Sequence, residues 1–137
     1  MERTLSIIKP DALAKNVTGK INAIIEDTGL KIIAQKMIYL TETQARRFYA
    51  EHEGKDFYDR LVKSIIAGPI VVQVLEGENA IKEYRKVMGA TNPEIAEEGT
   101  IRNLFGTKLP FNAAHGSDSV ESAEREINLF FADLEIF

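Results

Sequence analysis

Small residues surround one of the two histidines in this chain. His115 lies in the stretch Asn112–Ser119, "NAAHGSDS", with Ala113, Ala114 and Gly116 beside it. These neighbours leave room for a reacting group, and the residues that follow resemble a helix start, where free N–H groups and the helix dipole favour anions. A neutral imidazole next to an anion site can act as a nucleophile toward phosphate. The alternative is a histidine packed into a turn and hydrogen-bonded to backbone, and "HGSDS" alone is a weak motif.

Cationic and hydroxyl residues occur at a strand end and around the long loop before this histidine, where functional residues tend to concentrate. Lys9 closes the first predicted strand, Arg85 lies on the helix before the loop, and Thr91 and Arg102 lie within the loop. Taken singly, each is better explained as a solvated surface residue. Together with His115 they supply the donors that a polyphosphate requires: forked guanidinium groups, an ammonium and a hydroxyl. We expect neither Lys9 nor Arg102 to be needed for the core.

An apolar shelf and a few isolated residues add to the candidates. Phe57 and Leu61 lie one helical turn apart, so one helix face could offer a flat surface to a base. Spacing alone favours the alternative that both are core residues. Tyr49 and His52 fit an exposed helix edge, and Glu126, among other charged residues, is typical of a solvated helix face.

Composition narrows the classes of protein that remain. The chain has 137 residues, 45% of them hydrophobic and 28% charged, which is typical of a single globular domain, residues 1–137, with a proper core. A net charge of −4 argues against a protein that coats nucleic acid, although a local basic pocket remains compatible with it. The absence of cysteine excludes disulfides, a thiolate zinc site and a cysteine nucleophile.

Motifs for other sites and for targeting are also absent. The chain has no G-x-x-x-x-G-K-[ST], no G-x-G-x-x-G and no H-E-x-x-H, so any phosphate would be held by another architecture. No stretch approaches the ~20 apolar residues of a membrane span, and we see no secretory signal. A cytoplasmic location is therefore expected.

Hydrophobic periodicity predicts the elements of the first half of the chain. "RTLSIIKP" predicts a strand that ends at Lys9, and "PDALAKNVTGKINAIIEDTG" predicts a helix that stops at Gly29. "LKIIAQKMIYL" predicts a second strand. Thr41 is expected to cap the next helix, with Gln44 three residues later completing a capping box.

Helices and strands also alternate in the second half of the chain. "DFYDRLVKSIIAG" predicts a helix, "IVVQVLEG" a largely buried strand, and "VESAEREINLFF" a last amphipathic helix. Asn79 is expected to cap the helix "AIKEYRKVMG". The segment Ala90–Ala114 has weak periodicity and predicts an ordered, working loop followed by a short strand. This order favours an α/β or α+β sandwich of the split βαβ kind.

Six segments of the chain carry a resemblance to a known family. They are "RTLSIIKPDA", "FYAEHEGKDFYDRLV", "AGPIVVQVLEGENAI", "MGATNP", "GTIR" and "NAAHGSDSVESAEREI", and they extend from about Arg3 to Phe131. In order and spacing they resemble the nucleoside diphosphate kinase family, and the joint series "TNP…GTIR…HGSDS" is highly specific. The resemblance implies transfer of the γ-phosphate of a nucleoside triphosphate to a nucleoside diphosphate, by a ping-pong mechanism that maintains triphosphate pools. It also implies a ferredoxin-like α/β (α+β) sandwich, in which helices cover a four-stranded antiparallel sheet.

The resemblance further implies roles for individual residues. His115 would form the phosphohistidine through Nδ1, Glu126 would orient the ring, and Ser117 would belong to the network that keeps the pocket rigid. Mg²⁺ would be carried by the nucleotide phosphates, with no metal ligand from the protein. The phosphates would be bound by Lys9, Arg85, Thr91 and Arg102, with Tyr49 and His52 nearby. The ribose would be bound by Lys9 and Asn112. The base would pack against Phe57 and Leu61.

Partners and departures complete the expectations. Leu109–Phe111 departs from the family pattern near the base and the subunit contacts. The short tail "ADLEIF" favours a bacterial-type subunit, in a homo-oligomer built from dimers: a tetramer or a plain dimer ahead of a hexamer. No membrane and no dedicated nucleic-acid partner is expected.

One rival, a catalytically silent nucleotide-binding module, is disfavoured by the intact set around His115. A second rival, a nucleic-acid-binding protein, is disfavoured by the acidic balance.

Overall fold

One antiparallel sheet forms the centre of the molecule. The computed structural model describes residues 1–137. The strands are β1 (Glu2–Ile8), β2 (Lys31–Ile38), β3 (Ile70–Gly77) and β4 (Ala114–Gly116). Their order across the sheet is β2-β3-β1-β4, and every neighbouring pair is antiparallel. The short strand β4, which carries His115, therefore lies at one edge of the sheet and pairs with the inner strand β1.

Seven α-helices connect and cover the strands. They are α1 (Pro10–Ala14), α2 (Thr18–Asp27), α3 (Glu42–Phe48), α4 (Tyr58–Ile65), α5 (Ala80–Met88), α6 (Ile101–Phe105) and α7 (Val120–Phe130). Three 3₁₀ turns lie at Ala50–His52, Pro93–Ile95 and Asp133–Glu135. The predicted four-stranded antiparallel sheet with covering helices is confirmed.

The sheet buries a core on each face because successive side chains of a strand point to opposite sides. Leu5 and Ile7 of β1 pack with residues of α3, α4 and α7 in one cluster. Ile8 packs with residues of α1, α2 and α5 in the other. Burial of each such side chain stabilises the fold by about 1.5–3 kcal/mol. Since Ile7 pairs with His115, the imidazole belongs to the α3 and α7 side of the sheet.

Several sequence predictions are confirmed in detail. The buried strand occupies Ile70–Gly77, and all but one of its residues are buried. The Thr41 hydroxyl accepts from the Gln44 amide, and the Gln44 side chain accepts from the Thr41 amide, which completes the capping box. Strand β1 ends at Ile8, one residue earlier than expected, and Lys9 lies at the N-cap position of α1.

Two predictions about helix ends are wrong. The stretch Pro10–Gly29 forms two helices, because Asn16 adopts a φ of 59° between α1 and α2. Gly29, with a φ of 88°, does follow the second of them. Asn79 precedes α5, but with a φ of 52° its side chain caps nothing. The Glu2 carboxylate instead accepts from the Ile81 amide, so β1 supplies the cap.

The segment Ala90–Ala114 contains more regular structure than predicted. Helix α6 lies within it, capped by the Thr100 hydroxyl, which accepts from the Asn103 amide. Weak periodicity hid this helix because it is only five residues long. No helix anywhere in the structure combines the length and apolar character required to cross a membrane.

Candidate active site

Strand β4 separates its side chains so that His115 stands alone on one face. Ala114 and Gly116 point to the opposite face, where α5 packs. A Cβ on Gly116 would lie 2.6 Å from the Met88 methyl and 2.8 Å from the Tyr84 ring. Only glycine therefore lets α5 approach the strand this closely. The small residues around His115 thus have two effects: they let α5 pack closely against β4, and they leave space beside the imidazole.

A buried carboxylate fixes the imidazole. Nε2 of His115 lies 2.9 Å from Oε1 of Glu126. The side chain of Glu126 is 7% exposed and that of His115 is 23% exposed. An ionised carboxylate can only accept, so Nε2 carries the proton and donates it. The lone pair then resides on Nδ1, the nitrogen without a protein partner. Glu126 is not part of a solvated helix face, and that interpretation of the sequence is wrong.

A serine holds the carboxylate in turn. The hydroxyl of Ser117 donates to the same Glu126 oxygen at 2.8 Å, and the Leu5 amide donates to that hydroxyl at 3.1 Å. Ser117 is fully buried. Strand β1 therefore positions the serine, the serine positions the carboxylate, and the carboxylate orients the ring. This chain of contacts restricts the imidazole to one tautomer and one orientation.

Phe48, at the end of α3, covers the other side of the imidazole. Its ring centroid lies 4.9 Å from that of His115, at an interplanar angle of 77°. Sequence reasoning missed this residue, although its position next to Tyr49 in the resembling segment was a signal. The edge-on contact limits rotation of the imidazole without occupying its Nδ1.

Lys9 is buried, with 3% of its surface exposed, so the expectation of a solvated lysine is wrong. Its ammonium donates to the Pro110 carbonyl at 2.8 Å and to Oδ1 of Asn112 at 2.9 Å. Burial lowers the pKa of Lys9 to about 8, and the Arg102 charge acts in the same direction while Asp11 opposes both. An ammonium offers three N–H groups, and two of them have these partners. The third has no protein partner.

Arg102 is also buried, and it supports the backbone around the site. Its guanidinium donates to the carbonyls of Gly89 and Ala114, both at 3.0 Å. The buried Nε has no partner. Burial lowers the pKa of Arg102, and the charge of Arg85 adds to this effect while Tyr84 opposes it. These two contacts predict that Arg102 contributes to folding, contrary to the expectation from the sequence that it is not needed for the core.

Three further residues predicted from the sequence, Asn112, Thr91 and Arg85, differ in their exposure. Asn112 is buried, and its amide nitrogen donates to the Thr91 carbonyl at 3.0 Å while its oxygen accepts from Lys9. The side chains of Thr91 and Arg85 are exposed. Arg85 lines an open cavity of about 440 Å³ next to Asp118 and Ser119, at the start of α7.

A series of aromatic contacts leads from the histidine to the predicted base shelf. Phe48 contacts Tyr49 at 4.8 Å, Tyr49 contacts His52 at 6.2 Å, and His52 contacts Phe57 at 5.4 Å between ring centroids. Phe57 is half-buried, as is Leu61, so neither is a fully buried core residue.

Tyr49 differs from the exposed helix edge that its sequence suggested. It is 6% exposed, so that interpretation is wrong. Burial raises the pKa of Tyr49, and the charges of Glu126 and Asp11 add to the effect. The Tyr49 hydroxyl is therefore neutral and a hydrogen-bond donor at ordinary pH.

Comparison with known proteins identifies the architecture. A family model described as nucleoside diphosphate kinase matches residues 2–136. The chain belongs to the nucleoside diphosphate kinase family. A nucleoside diphosphate kinase of Gluconobacter oxydans (strain 621H) is 60% identical over 136 residues, 99% of this chain and 97% of that protein. A nucleoside diphosphate kinase of Caulobacter sp. (strain K31) is 57% identical over 135 residues, 98% of this chain and 97% of that protein.

Solved nucleoside diphosphate kinases share the fold. The Aquifex aeolicus enzyme superposes with a TM-score of 0.96 at 45% identity, over 99% of both chains. The Halobacterium salinarum enzyme, solved in complex with CDP, superposes with a TM-score of 0.95 at 42% identity, over 99% of this chain and 91% of that one. The resemblance found in the sequence is confirmed. The chain is an enzyme that transfers a phosphoryl group between nucleotides, since this activity follows from the family.

Members of this kinase family generally require a divalent metal. The structure contains no group of three or more His, Cys, Asp or Glu residues placed to hold an ion. Besides Glu126, which already accepts from His115 and Ser117, the buried charged side chains are the cations of Lys9 and Arg102. Such a donor set fits an anionic ligand and does not fit a resident metal.

Proposed function

We propose that His115 is the nucleophile of the nucleoside diphosphate kinase reaction and that Nδ1 is the attacking atom. The observation that carries this proposal is the 2.9 Å contact between Nε2 of His115 and the buried carboxylate of Glu126. This contact keeps the proton on Nε2 and leaves the lone pair on Nδ1. A ring with the opposite tautomer would present N–H to the phosphate and could not attack.

The transfer then occurs in two similar steps. Nδ1 bonds to the γ-phosphorus, the bond from that phosphorus to the bridging oxygen breaks, and the nucleoside diphosphate leaves with the electron pair. In the second step a terminal oxygen of the acceptor diphosphate attacks the same phosphorus, and the P–N bond breaks. Nε2 keeps its proton throughout, and Glu126 stabilises the positive ring that exists between the steps.

Charge on the transferred group is the main demand on the rest of the site. Charge in the transition state spreads over the equatorial oxygens, so positioning and electrostatic stabilisation supply most of the rate. We assign this task to Lys9 and Arg102, which have an unused ammonium N–H and an unpaired Nε. Arg85 and Thr91 are assigned to the outer phosphate oxygens, since both are exposed and available.

The ribose and the base are assigned to residues other than those that bind the phosphate oxygens, apart from Lys9. Asn112 and Lys9 are proposed to bind the ribose, and Phe57 with Leu61 to pack against the base. Tyr49 and His52 would lie between base and phosphate, and the buried Nδ1 of His52 has no protein partner. Binding of CDP by the Halobacterium salinarum relative supports a nucleoside diphosphate as the ligand.

The remaining assignments concern metal, assembly and location. We propose that Mg²⁺ enters with the nucleotide as part of the substrate, because the protein offers no ligand cluster of its own. We also propose that residues 1–137 work as one domain, since both core clusters share a single sheet. A homo-oligomer built from dimers and a cytoplasmic location complete the proposal, the latter because nucleotide pools are found there.

Initial-rate kinetics test the two-step scheme. The rate is measured against donor triphosphate at several fixed concentrations of a different acceptor diphosphate. Parallel lines in the double-reciprocal plot are expected, because the donor's product leaves before the acceptor binds. His115→Ala should lose transfer while retaining nucleotide binding. Intersecting lines, or appreciable transfer by His115→Ala, would refute the proposal.

A further inference from the structure

The backbone just before the catalytic strand is strained at one residue. Ala113 has a φ of 70° and is fully buried. A residue with a Cβ adopts this left-handed conformation only at an energetic cost. The amide of Ala114 donates to the carbonyl of Asn112 at 2.8 Å, so Ala113 is the central residue of a three-residue γ-turn. Positive φ in such a turn is rare and strained.

The γ-turn joins two parts of the proposed site. Asn112, on one side, accepts from the Lys9 ammonium and donates to the Thr91 carbonyl. Ala114, on the other side, begins β4, and its carbonyl accepts from Arg102. His115 follows directly. Any relaxation of Ala113 toward negative φ would change the direction of the chain between Asn112 and His115.

Two residues at the start of α1 hold Ala113 in this conformation. The amide of Ala113 donates to Oδ2 of Asp11 at 3.0 Å, and the carbonyl of Ala113 accepts from the Lys9 amide at 2.9 Å. The Lys9 contact is made by backbone and is available to any residue type. The Asp11 contact is made by a side chain, so it depends on the sequence. Strain of this kind persists only where the surroundings over-determine it.

We propose that Asp11 is a positioning residue for phosphoryl transfer. Its carboxylate fixes the strained γ-turn at Ala113 and thereby sets the nucleophile His115 relative to Asn112 and Lys9. The inference rests on the proposed role of His115. Asp11 acts through the backbone of Ala113, and the hydrogen bond it accepts is the essential interaction.

A double-mutant cycle tests the coupling between Asp11 and Ala113. The variants are Asp11→Ala, Ala113→Gly and the double variant, because glycine adopts positive φ without strain. Asp11→Ala should lower kcat about tenfold or more, since the γ-turn can relax. Ala113→Gly alone should keep kcat within about threefold of the parent, and the double variant should recover most of the lost activity.

Asp11→Asn separates the hydrogen bond from the charge. The Asn oxygen can still accept from Ala113, whereas the charge that supports Lys9 is lost. Asp11→Ala loses the same charge, so the difference between the two variants reports the hydrogen bond, and Asp11→Asn should retain at least about threefold more kcat than Asp11→Ala. Normal kcat in Asp11→Ala, equal losses in Asp11→Asn and Asp11→Ala, or a double variant no better than Asp11→Ala would each overturn the proposal.

Urea unfolding provides a readout that does not depend on the nucleophile. The same cycle is repeated in the His115→Ala background, and the unfolding midpoints are compared. Asp11→Ala should lower the midpoint less when residue 113 is glycine. If the unfolding midpoints show coupling between Asp11 and Ala113 while His115→Ala still transfers phosphate, the role of His115 is refuted and the strained γ-turn is not. Absence of coupling would count against the γ-turn itself.

Discussion

Nε2 of His115 and Oε1 of Glu126 lie 2.9 Å apart, and the Ser117 hydroxyl donates to the same oxygen at 2.8 Å. One carboxylate oxygen thus accepts from two groups, one in β4 and one in the residue directly after it. Because the carboxylate is buried, its hydrogen bonds to the ring and the serine replace the water it would otherwise bind. This relationship supports the proposal that Nδ1 is the attacking atom.

Replacement of Glu126 should affect kcat more than nucleotide binding. Glu126→Gln can still accept from Nε2 but loses the negative charge that stabilises the phosphorylated, positive ring. A hydrogen bond to a charged group is worth about 1.5–3 kcal/mol, which corresponds to a loss of roughly 10–100-fold in kcat. Steady-state kinetics measure the change. Glu124→Gln, at an exposed position of the same helix, is the matched control and should leave kcat unchanged.

The activity should decline at alkaline pH as Lys9 loses its proton. The pKa of Lys9 is lowered to about 8 by burial, and kcat/KM reports ionisation of the free enzyme. Above that pKa, kcat/KM should fall about tenfold per pH unit if the ammonium is required. ADP and CTP are suitable substrates because their bases carry no proton that dissociates in this range. Lys9→Met should lack this inflection, whereas the exposed Lys20→Met should retain it.

The same group makes an opposite contribution to stability. The folded pKa of about 8 lies below the usual lysine pKa of 10.5, so the unfolded chain binds more protons between these values. The Lys9 contribution to the free energy of unfolding therefore rises with pH across this window. The urea midpoint of the parent should rise with pH relative to that of Lys9→Met in this window, and a difference that does not change with pH would show that Lys9 is not buried in solution.

Arg102→Ala should weaken folding as well as catalysis. It removes the donors to the carbonyls of Gly89 and Ala114, and an unsatisfied buried group costs about 1–3 kcal/mol. The free energy of unfolding in urea should fall by about 2–4 kcal/mol. Arg60→Ala, at an exposed position of α4, should change it little. An Arg102→Ala variant with parental stability would show that water replaces the guanidinium.

The enzyme should accept all bases with similar efficiency. Phe57 and Leu61 offer apolar packing, which every base can accept, and Phe57→Ala should weaken all nucleotides together by about tenfold. Values of kcat/KM for the adenine, guanine, cytosine, uracil and thymine diphosphates should agree within about tenfold, with purines somewhat ahead. Tyr39→Ala removes an exposed aromatic ring next to β2 and is the control. Discrimination of several decades for one base would reveal a polar contact to a base edge.

The sequence predicted those strands and helix caps that depend only on residues adjacent in the chain. The apolar run Ile70–Gly77 and the Thr41 capping box depend on adjacent residues, and both are confirmed. The break at Asn16 and the helix α6 were missed, because a single positive φ and a five-residue helix leave little periodicity.

The environment of the site depends on contacts between distant parts of the chain. Lys9 is buried by Pro110 and Asn112, about a hundred residues later, and no spacing in the sequence indicates this. Glu126 lies among charged neighbours, so periodicity favoured a solvated face until its partners His115 and Ser117 were placed beside it. Asp11 gave no signal of its own, because it acts on the backbone of Ala113.

The most direct test of the central claim is to isolate the phosphorylated protein and locate the phosphate. The enzyme is mixed with γ-labelled nucleoside triphosphate and Mg²⁺, freed of nucleotide, and mapped by mass spectrometry under alkaline conditions that preserve phosphohistidine. We expect one acid-labile phosphate on His115, absent from His115→Ala, that transfers quantitatively to an added diphosphate bearing a different base. Phosphate on His52 or on another residue, or label on His115 that the diphosphate cannot remove, would contradict the assignment of His115 as the nucleophile.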